Sequence, residues 1–282
     1  MREHFTRHAA SSSAGVTVFN CALFRIFGTT HLASRAGWTF SDYDARAVER
    51  AAQECRREHG HAFTSAYCLV AHNSEIASEE SAQRAYERVC RKSLQAVWDK
   101  REKFDQACAT GSWRTLIEML RQTPGFGGSG FMAKEVALDV MQTPHLRRCV
   151  DRNDWCPVGP GARRGLNRLH GRPTQQAVAV GGASEARFLR EMLALFRALL
   201  EAEPEWCRAL DIELHDVQFQ LCEFDKYERI RTREGGKKTK YLQPPAPPAA
   251  GAPSAAAPPA SSSSSSSSAA AAAPPMPAPP AA

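Results

Sequence analysis

Between Ala183 and Glu203 the residues Phe188, Met192, Leu195, Phe196 and Leu199 recur at three- and four-residue intervals. That spacing lays an apolar stripe along one face of a helix. The same period governs most of the chain that can fold. Val16 to Phe27 reads as a buried helix, and Thr29 to Trp38 as a connector or second helix. Ser41, with Asp44 three residues on, predicts the N-cap of a helix running to about His59, with Gly60 as its stop. Ser78 opens a long helix to about Cys108, and Ser112 caps Trp113 to Arg121. Phe131 to Met141, Ala162 to Leu169 and Asp211 to Phe224 follow as helices. His61 to Val70 is apolar and short, and period alone leaves it as strand or helix. No series of alternating strands and no internal repeat is present, so the chain is expected to be all-α.

Two stretches are excluded from that fold. From Gln243 to Ala282 the chain is dominated by Pro, Ala and Ser, without a charge, and includes the run Ser261 to Ser268. Such a segment buries too little apolar surface to offset its ordering entropy, so a disordered tail is expected over 243–282. A disordered N-terminus is expected over 1–15, which leaves one helical domain over 16–242. No run reaches the ~20 apolar residues of a membrane span, and Met1-Arg2-Glu3-His4 starts no secretory apolar core. The nine cysteines hold no Cys-x-x-Cys pair, which points to free thiols in a reducing compartment. His59-Gly60-His61 lacks further ligands at metal spacing, so neither a metal nor a cofactor is expected. The formal net charge of +6 favours a polyanionic partner. Lys226 to Lys240 adds a basic stretch interleaved with Tyr227, either a nucleic-acid track or a solvated extension.

The chemistry-bearing part is Thr123 to Arg168. Its first half joins two helices through Pro124-Gly125-Phe126-Gly127-Gly128-Ser129-Gly130. Glycine tolerates positive φ there, and the N–H groups of the turn and of the next helix's first turn form an anion site. The arrangement resembles the helix-hairpin-helix of DNA repair glycosylases; a plain interhelical turn stands equally open. A P-loop is excluded, because Ala133 precedes Lys134 and Glu135 follows it. A dinucleotide fold fails for want of a leading strand.

The second half, Asp151 to Leu166, sets Asp154 beside Trp155 and then turns through Gly159-Pro160-Gly161 into Arg163 and Arg164. A carboxylate next to an aromatic ring suits a base or a cation stabiliser. Trp155 suits stacking on an extruded base, and the two arginines suit phosphate. A capped loop with surface ion pairs is the alternative. Glu223, framed by Leu221, Cys222 and Phe224, either points into a site or pairs with an arginine such as Arg25.

Five motifs then occur in order: Phe24-Arg25-Ile26-Phe27, Thr64-Ser65-Ala66-Tyr67, Pro124-Gly125-Phe126-Gly127 through Ala133, Gly159-Pro160-Gly161-Ala162-Arg163-Arg164-Gly165-Leu166, and Leu221-Cys222-Glu223-Phe224. Together, over Val16 to Tyr241, they resemble the helical domain of 5-hydroxymethyl-deoxyuridine DNA kinases. That domain is similar to the α-glutamyl/putrescinyl thymine pyrophosphorylases of phage DNA hypermodification. The resemblance implies a relative of helix-hairpin-helix glycosylases that engages a flipped, modified thymine. It implies substitution at the base's 5-methylene carbon after the hydroxymethyl group has been phosphorylated. Kinase members carry a P-loop domain, and no P-loop stands in these 282 residues. The expected activity is therefore that of a base-modifying transferase or pyrophosphorylase, not a kinase.

On that resemblance Asp154 is the first catalytic candidate, with Asp139 and Glu223 behind it. The expected DNA contacts are Gly125, Phe126, Gly127, Gly128, Ser129, Gly130, Lys134, Trp155, Gly159, Gly161, Arg163 and Arg164. The expected partners are DNA and a separate P-loop kinase or oxygenase, with no membrane and an intracellular, nuclear location. A non-catalytic DNA-binding module, a glycosylase for a modified pyrimidine and a helical scaffold remain as other readings.

Overall fold

The centre of the fold is one helix, α1 (Ala14–Phe27), in a computed structural model that describes residues 8–64, 70–128, 130–176 and 183–234. Every residue of α1 except Arg25 is buried. A helix apolar on all sides is stable only when surrounded, and the helices Arg101–Ala109 and Phe131–Met141 pack against this one. Ser13 caps its start by accepting from the Val16 N–H, and Asp105 accepts from the Gly15 N–H at 2.8 Å. Gly28, at φ 65°, closes it with an N–H bond to the Phe24 carbonyl of 2.7 Å.

The N-terminal boundary lies earlier than the composition suggests. Ala9 is fully buried and its carbonyl meets His145 Nε2 at 3.1 Å. Ala9 is held by a contact 136 residues away and Gly15 by one 90 residues away, which local polarity cannot report. Residues 1–7, the 243–282 tail and the basic residues 235–240 lie outside the described residues.

After α2 (Thr30–Ala36), helix α3 (Ala45–His59) starts at Asp44 rather than Ser41. The Asp44 carboxylate accepts from both Arg46 and Ala47 N–H groups, at 2.9 and 3.1 Å. Residues 61–64 are loop, and most of the Thr64 to Tyr67 motif lies outside the described residues. Buried Glu75, on α4 (Val70–Ala77), fixes that loop: it accepts from the Ala62 and Phe63 N–H groups and from the Tyr86 hydroxyl.

The long helix expected to about Cys108 is instead three α-helices and a π-helical segment. α5 (Glu79–Arg88) runs into a π-helical segment (Val89–Leu94), then α6 (Gln95–Asp99). Lys100 leaves helical geometry at φ −95°, ψ 7°, and α7 (Arg101–Ala109) restarts. A π segment sets side chains off the α register. Here it directs Arg91 onto Glu49 and Ser93 toward the glycine hairpin.

The rest of the described chain is α8 (Trp113–Arg121), α9 (Phe131–Met141), α10 (Gly159–Leu169), α11 (Ala183–Ala202), α12 (Pro204–Ala209) and α13 (Leu214–Arg231). α13 begins at a reciprocal cap between Glu213 and Asp216 and runs past Phe224. The core is continuous, with Phe27 stacked on Phe63 at 4.6 Å and Phe19 edge-on to Trp98 at 5.0 Å. Among the described residues there is no strand, and no helix is long and apolar enough to cross a membrane.

Candidate nucleic-acid interface

The hairpin between α8 and α9 is anchored from below and open above. Phe126 is fully buried and its N–H is bonded to the Thr123 carbonyl at 3.0 Å. It is a core anchor, not the DNA contact expected of it. Gly125 at φ 90°, Gly128 at φ 69° and Gly130 at φ 75° take backbone conformations that side chains resist. Gly127 and Gly128 are exposed. Their N–H groups, with those of Met132 and Ala133 in the first turn of α9, find no acceptor among the described residues. Ser129 lies outside the described residues.

The Asp154 loop lies elsewhere. Asp151 caps α8, accepting from the Trp113 N–H at 3.0 Å, the Arg114 N–H at 3.1 Å and the Ser112 hydroxyl at 2.6 Å. That places the loop at the N-terminal end of α8, while the hairpin leaves its C-terminal end. Nine helical residues separate the two ends by about 13 Å. Asp154 is exposed, in no dry pocket, and does not share a cleft with the hairpin. Trp155 is half-buried, edge-on to Trp113 at 5.9 Å with the Arg114 guanidinium over its ring at 5.3 Å. The Arg114 guanidinium occupies a ring face that a stacked base would need.

The Gly-Pro-Gly-Ala-Arg-Arg-Gly-Leu segment also serves packing. A Cβ on Gly161 would lie 2.8 Å from Cys222 Sγ, and one on Gly165 would collide with the Leu221 backbone. The two glycines, four apart, let α10 and α13 cross at close range. Gly159 only starts the helix, at φ 70°. Arg163 is paired with Glu185, and Arg164 with Asp225 at 2.6 Å, which Arg168 also holds at 3.0 Å. Asp225 is fully buried, so its two arginines neutralise it, and neither expected phosphate contact is available without breaking an ion pair.

A charged network does adjoin the hairpin, on α9 itself. Arg25, the one solvent-facing side chain of α1, clamps Asp139 through Nε at 2.5 Å and Nη2 at 2.7 Å. Its Nη1 reaches Glu135 at 3.2 Å. Glu135 is shared with Lys134 at 3.2 Å, whose Nζ also donates to Gln218 Oε1 at 2.8 Å. Gln218 in turn donates to the Val158 carbonyl at 2.9 Å. Lys134 is therefore buried and internally paired, not a surface phosphate contact. Phe131, Glu135, Leu138 and Asp139 form the face of α9 left unburied by the core. Burial raises the Asp139 carboxyl above its usual range, and Arg25 opposes that shift. Glu223 sits on α13, where Lys226 pairs with it at 2.5 Å; among the described residues Arg25 pairs with Asp139 and Glu135.

A family model described as the helical domain of 5-hmdU DNA kinases matches residues 3–237. The chain belongs to this family. Searches of curated proteins and of solved structures returned no match. Membership ties the 5-hmdU DNA kinase helical domain to DNA and to modified DNA bases. In the structure the Arg25 and hairpin motifs both reach α9. Sequence reading missed Glu135, Lys92, Lys100 and Arg121. Glu135 was legible as the i−4 neighbour of Asp139. Lys100 comes near the hairpin only through tertiary packing, whereas Arg121 directly precedes it in sequence and Lys92 neighbours Ser93, on which the hairpin turn packs.

Proposed function

We propose that this domain grips DNA through the 124–130 hairpin and turns a flipped 5-hydroxymethyluracil-type base toward the Arg25–Asp139–Glu135–Lys134 network. One observation carries the reading: exposed glycine N–H groups, without acceptors among the described residues, lead into the same helix that carries two solvent-reaching carboxylates. Backbone N–H groups at a turn suit a phosphate oxygen. A base extruded at a cost of a few kcal/mol suits a partly dry charged site. The supported chemistry is substitution at the 5-methylene carbon. The bond to an activated leaving oxygen breaks, a bond to the nucleophile forms, and Glu135 or Asp139 receives the nucleophile's proton. The phosphoryl group that activates the leaving oxygen comes from a P-loop kinase.

A hairpin charge test decides the grip. Gly128 has open space where a Cβ would stand, and Asp and Asn both tolerate its φ of 69°. Gly128→Asp is expected to abolish binding to a duplex carrying 5-hydroxymethyluracil, and Gly128→Asn to retain it, in a fluorescence anisotropy titration. Equal binding by the two variants would remove the hairpin from the interface.

One observation favours a second reading, a DNA-recruiting module without chemistry of its own. Asp139 is held bidentately by Arg25, and a neutralised carboxylate is a weak base. Mass spectrometry of phosphohydroxymethyl DNA incubated with amine donors separates the two: an altered base supports the enzyme, intact DNA the module.

A further inference from the structure

The hairpin does not stand alone at its end of the molecule. Its turn lies directly on the π-helical segment, where a Cβ on Gly125 would come within 2.8 Å of Ser93 Cβ. The residue before Ser93 is Lys92, which is exposed. Arg91, one position earlier, turns the other way and is tied to Glu49 and Glu87. The π segment thus splits two adjacent cations: Arg91 is neutralised against α3, and Lys92 is left exposed next in sequence to Ser93, on which the hairpin turn packs.

Two further cations reach the same place from other elements. Lys100, at the break between α6 and α7, donates from Nζ to the Gln122 carbonyl at 3.0 Å and to Thr123 Oγ1 at 3.2 Å. Both acceptors are neutral, so its charge is unbalanced at the base of the hairpin. Arg121, the last residue of α8, lies across the hairpin mouth, with its Cδ 3.0 Å from a Cβ built on Gly130 and Nη2 3.4 Å from the Gly128 carbonyl. Among the described residues, none of the three has a carboxylate partner. Lys100 and Arg121 meet the hairpin or the residues leading into it, and Lys92 is the exposed chain neighbour of Ser93, on which the hairpin turn packs.

We infer that Lys92, Lys100 and Arg121 form a basic rim that holds the DNA backbone on both sides of the hairpin, with the π segment as its second wall. The inference rests on the proposed hairpin grip and deepens it. The hairpin offers backbone donors to one phosphate, and the rim offers point charges to its neighbours along the strand. Exposed cations of this kind release counterions on binding and carry no base preference. Their contribution is therefore read in salt dependence rather than in base discrimination.

The test uses the full chain and a duplex with one 5-hydroxymethyluracil, beside the same duplex with thymine. The affinity is followed between low and physiological salt for the wild type and for Lys92→Ala, Lys100→Ala and Arg121→Ala, singly and together. Each substitution is expected to lower the log–log salt slope by about one, equally on both duplexes. Lys92→Arg is expected to keep the wild-type slope. Lys100 also holds the end of α8, so circular dichroism of each variant separates lost folding from lost charge. Lys92→Ala, at an exposed position, carries the test if the Lys100 variant unfolds. A wild-type slope in the triple variant, with binding still lost in Gly128→Asp, overturns the rim and leaves the hairpin grip standing. No DNA binding by the wild type overturns both. Tighter binding to single-stranded RNA than to either duplex overturns the assignment of DNA as the rim's partner.

Discussion

At the scale of single residues, Arg25 decides what the α9 face can do. It balances Asp139 and Glu135, at 28% exposure for its own side chain and 24% for Asp139. Pairs this sheltered lie between exposed pairs, worth under about 1 kcal/mol, and buried ones, where losing a partner costs about 3–5 kcal/mol. Arg25→Ala is expected to destabilise by about 2 kcal/mol in urea denaturation. The same change removes the group that holds the Asp139 carboxyl down against burial. Because the folded-state value is already raised, the stability from this group is full below the ordinary Asp range. It is lost as pH rises through the folded value. In Arg25→Ala that window extends to higher pH. Carboxyl-carbon NMR titration checks it: the Asp139 midpoint should move up, and an unmoved midpoint would show that Arg25 does not control its charge.

At the scale of elements, glycine has two separate uses. In the hairpin it supplies positive φ, as at Gly125 and Gly128. In α10 it supplies absence of bulk, as at Gly161 and Gly165 against α13. The local spelling is alike, and the neighbouring helix decides between them. Alanine is favoured over glycine by about 1 kcal/mol in an isolated helix. At Gly165 that gain is expected to be reversed, because the added methyl meets the Leu221 backbone rather than a flexible side chain. Gly165→Ala should cost about 1–3 kcal/mol as an overpacked contact, measured by thermal unfolding. A more stable Gly165→Ala protein would show that α10 and α13 do not cross this closely.

At the scale of the whole molecule, helix α8 separates two loops that are close in sequence. The hairpin lies at one end and Asp154 at the other, about 13 Å along the helix. The chemistry is expected at the hairpin end. Asp154→Asn should leave DNA binding and turnover as in the wild type, while Asp139→Asn should lower turnover at least tenfold with binding retained. Assays of both variants on phosphohydroxymethyl DNA check this, and loss of turnover in Asp154→Asn would return the site to the second loop.

The sequence by itself determined the all-α class, the places of most helices and the hairpin, because apolar period, caps and glycine act over a few residues. Ser78, Ser112 and Gly60 end or begin helices where their chemistry says they should. It also carried the family, through motifs kept in order. Tertiary structure alone decided which charged groups are available. Arg163, Arg164 and Lys134 have partners 22, 61 and 84 residues away, and no local pattern shows a distant carboxylate or amide. The π segment likewise depends on where α3 and the hairpin draw Arg91 and Ser93. Ionic pairing is set by distance in space, and that distance exists only once the helices have packed.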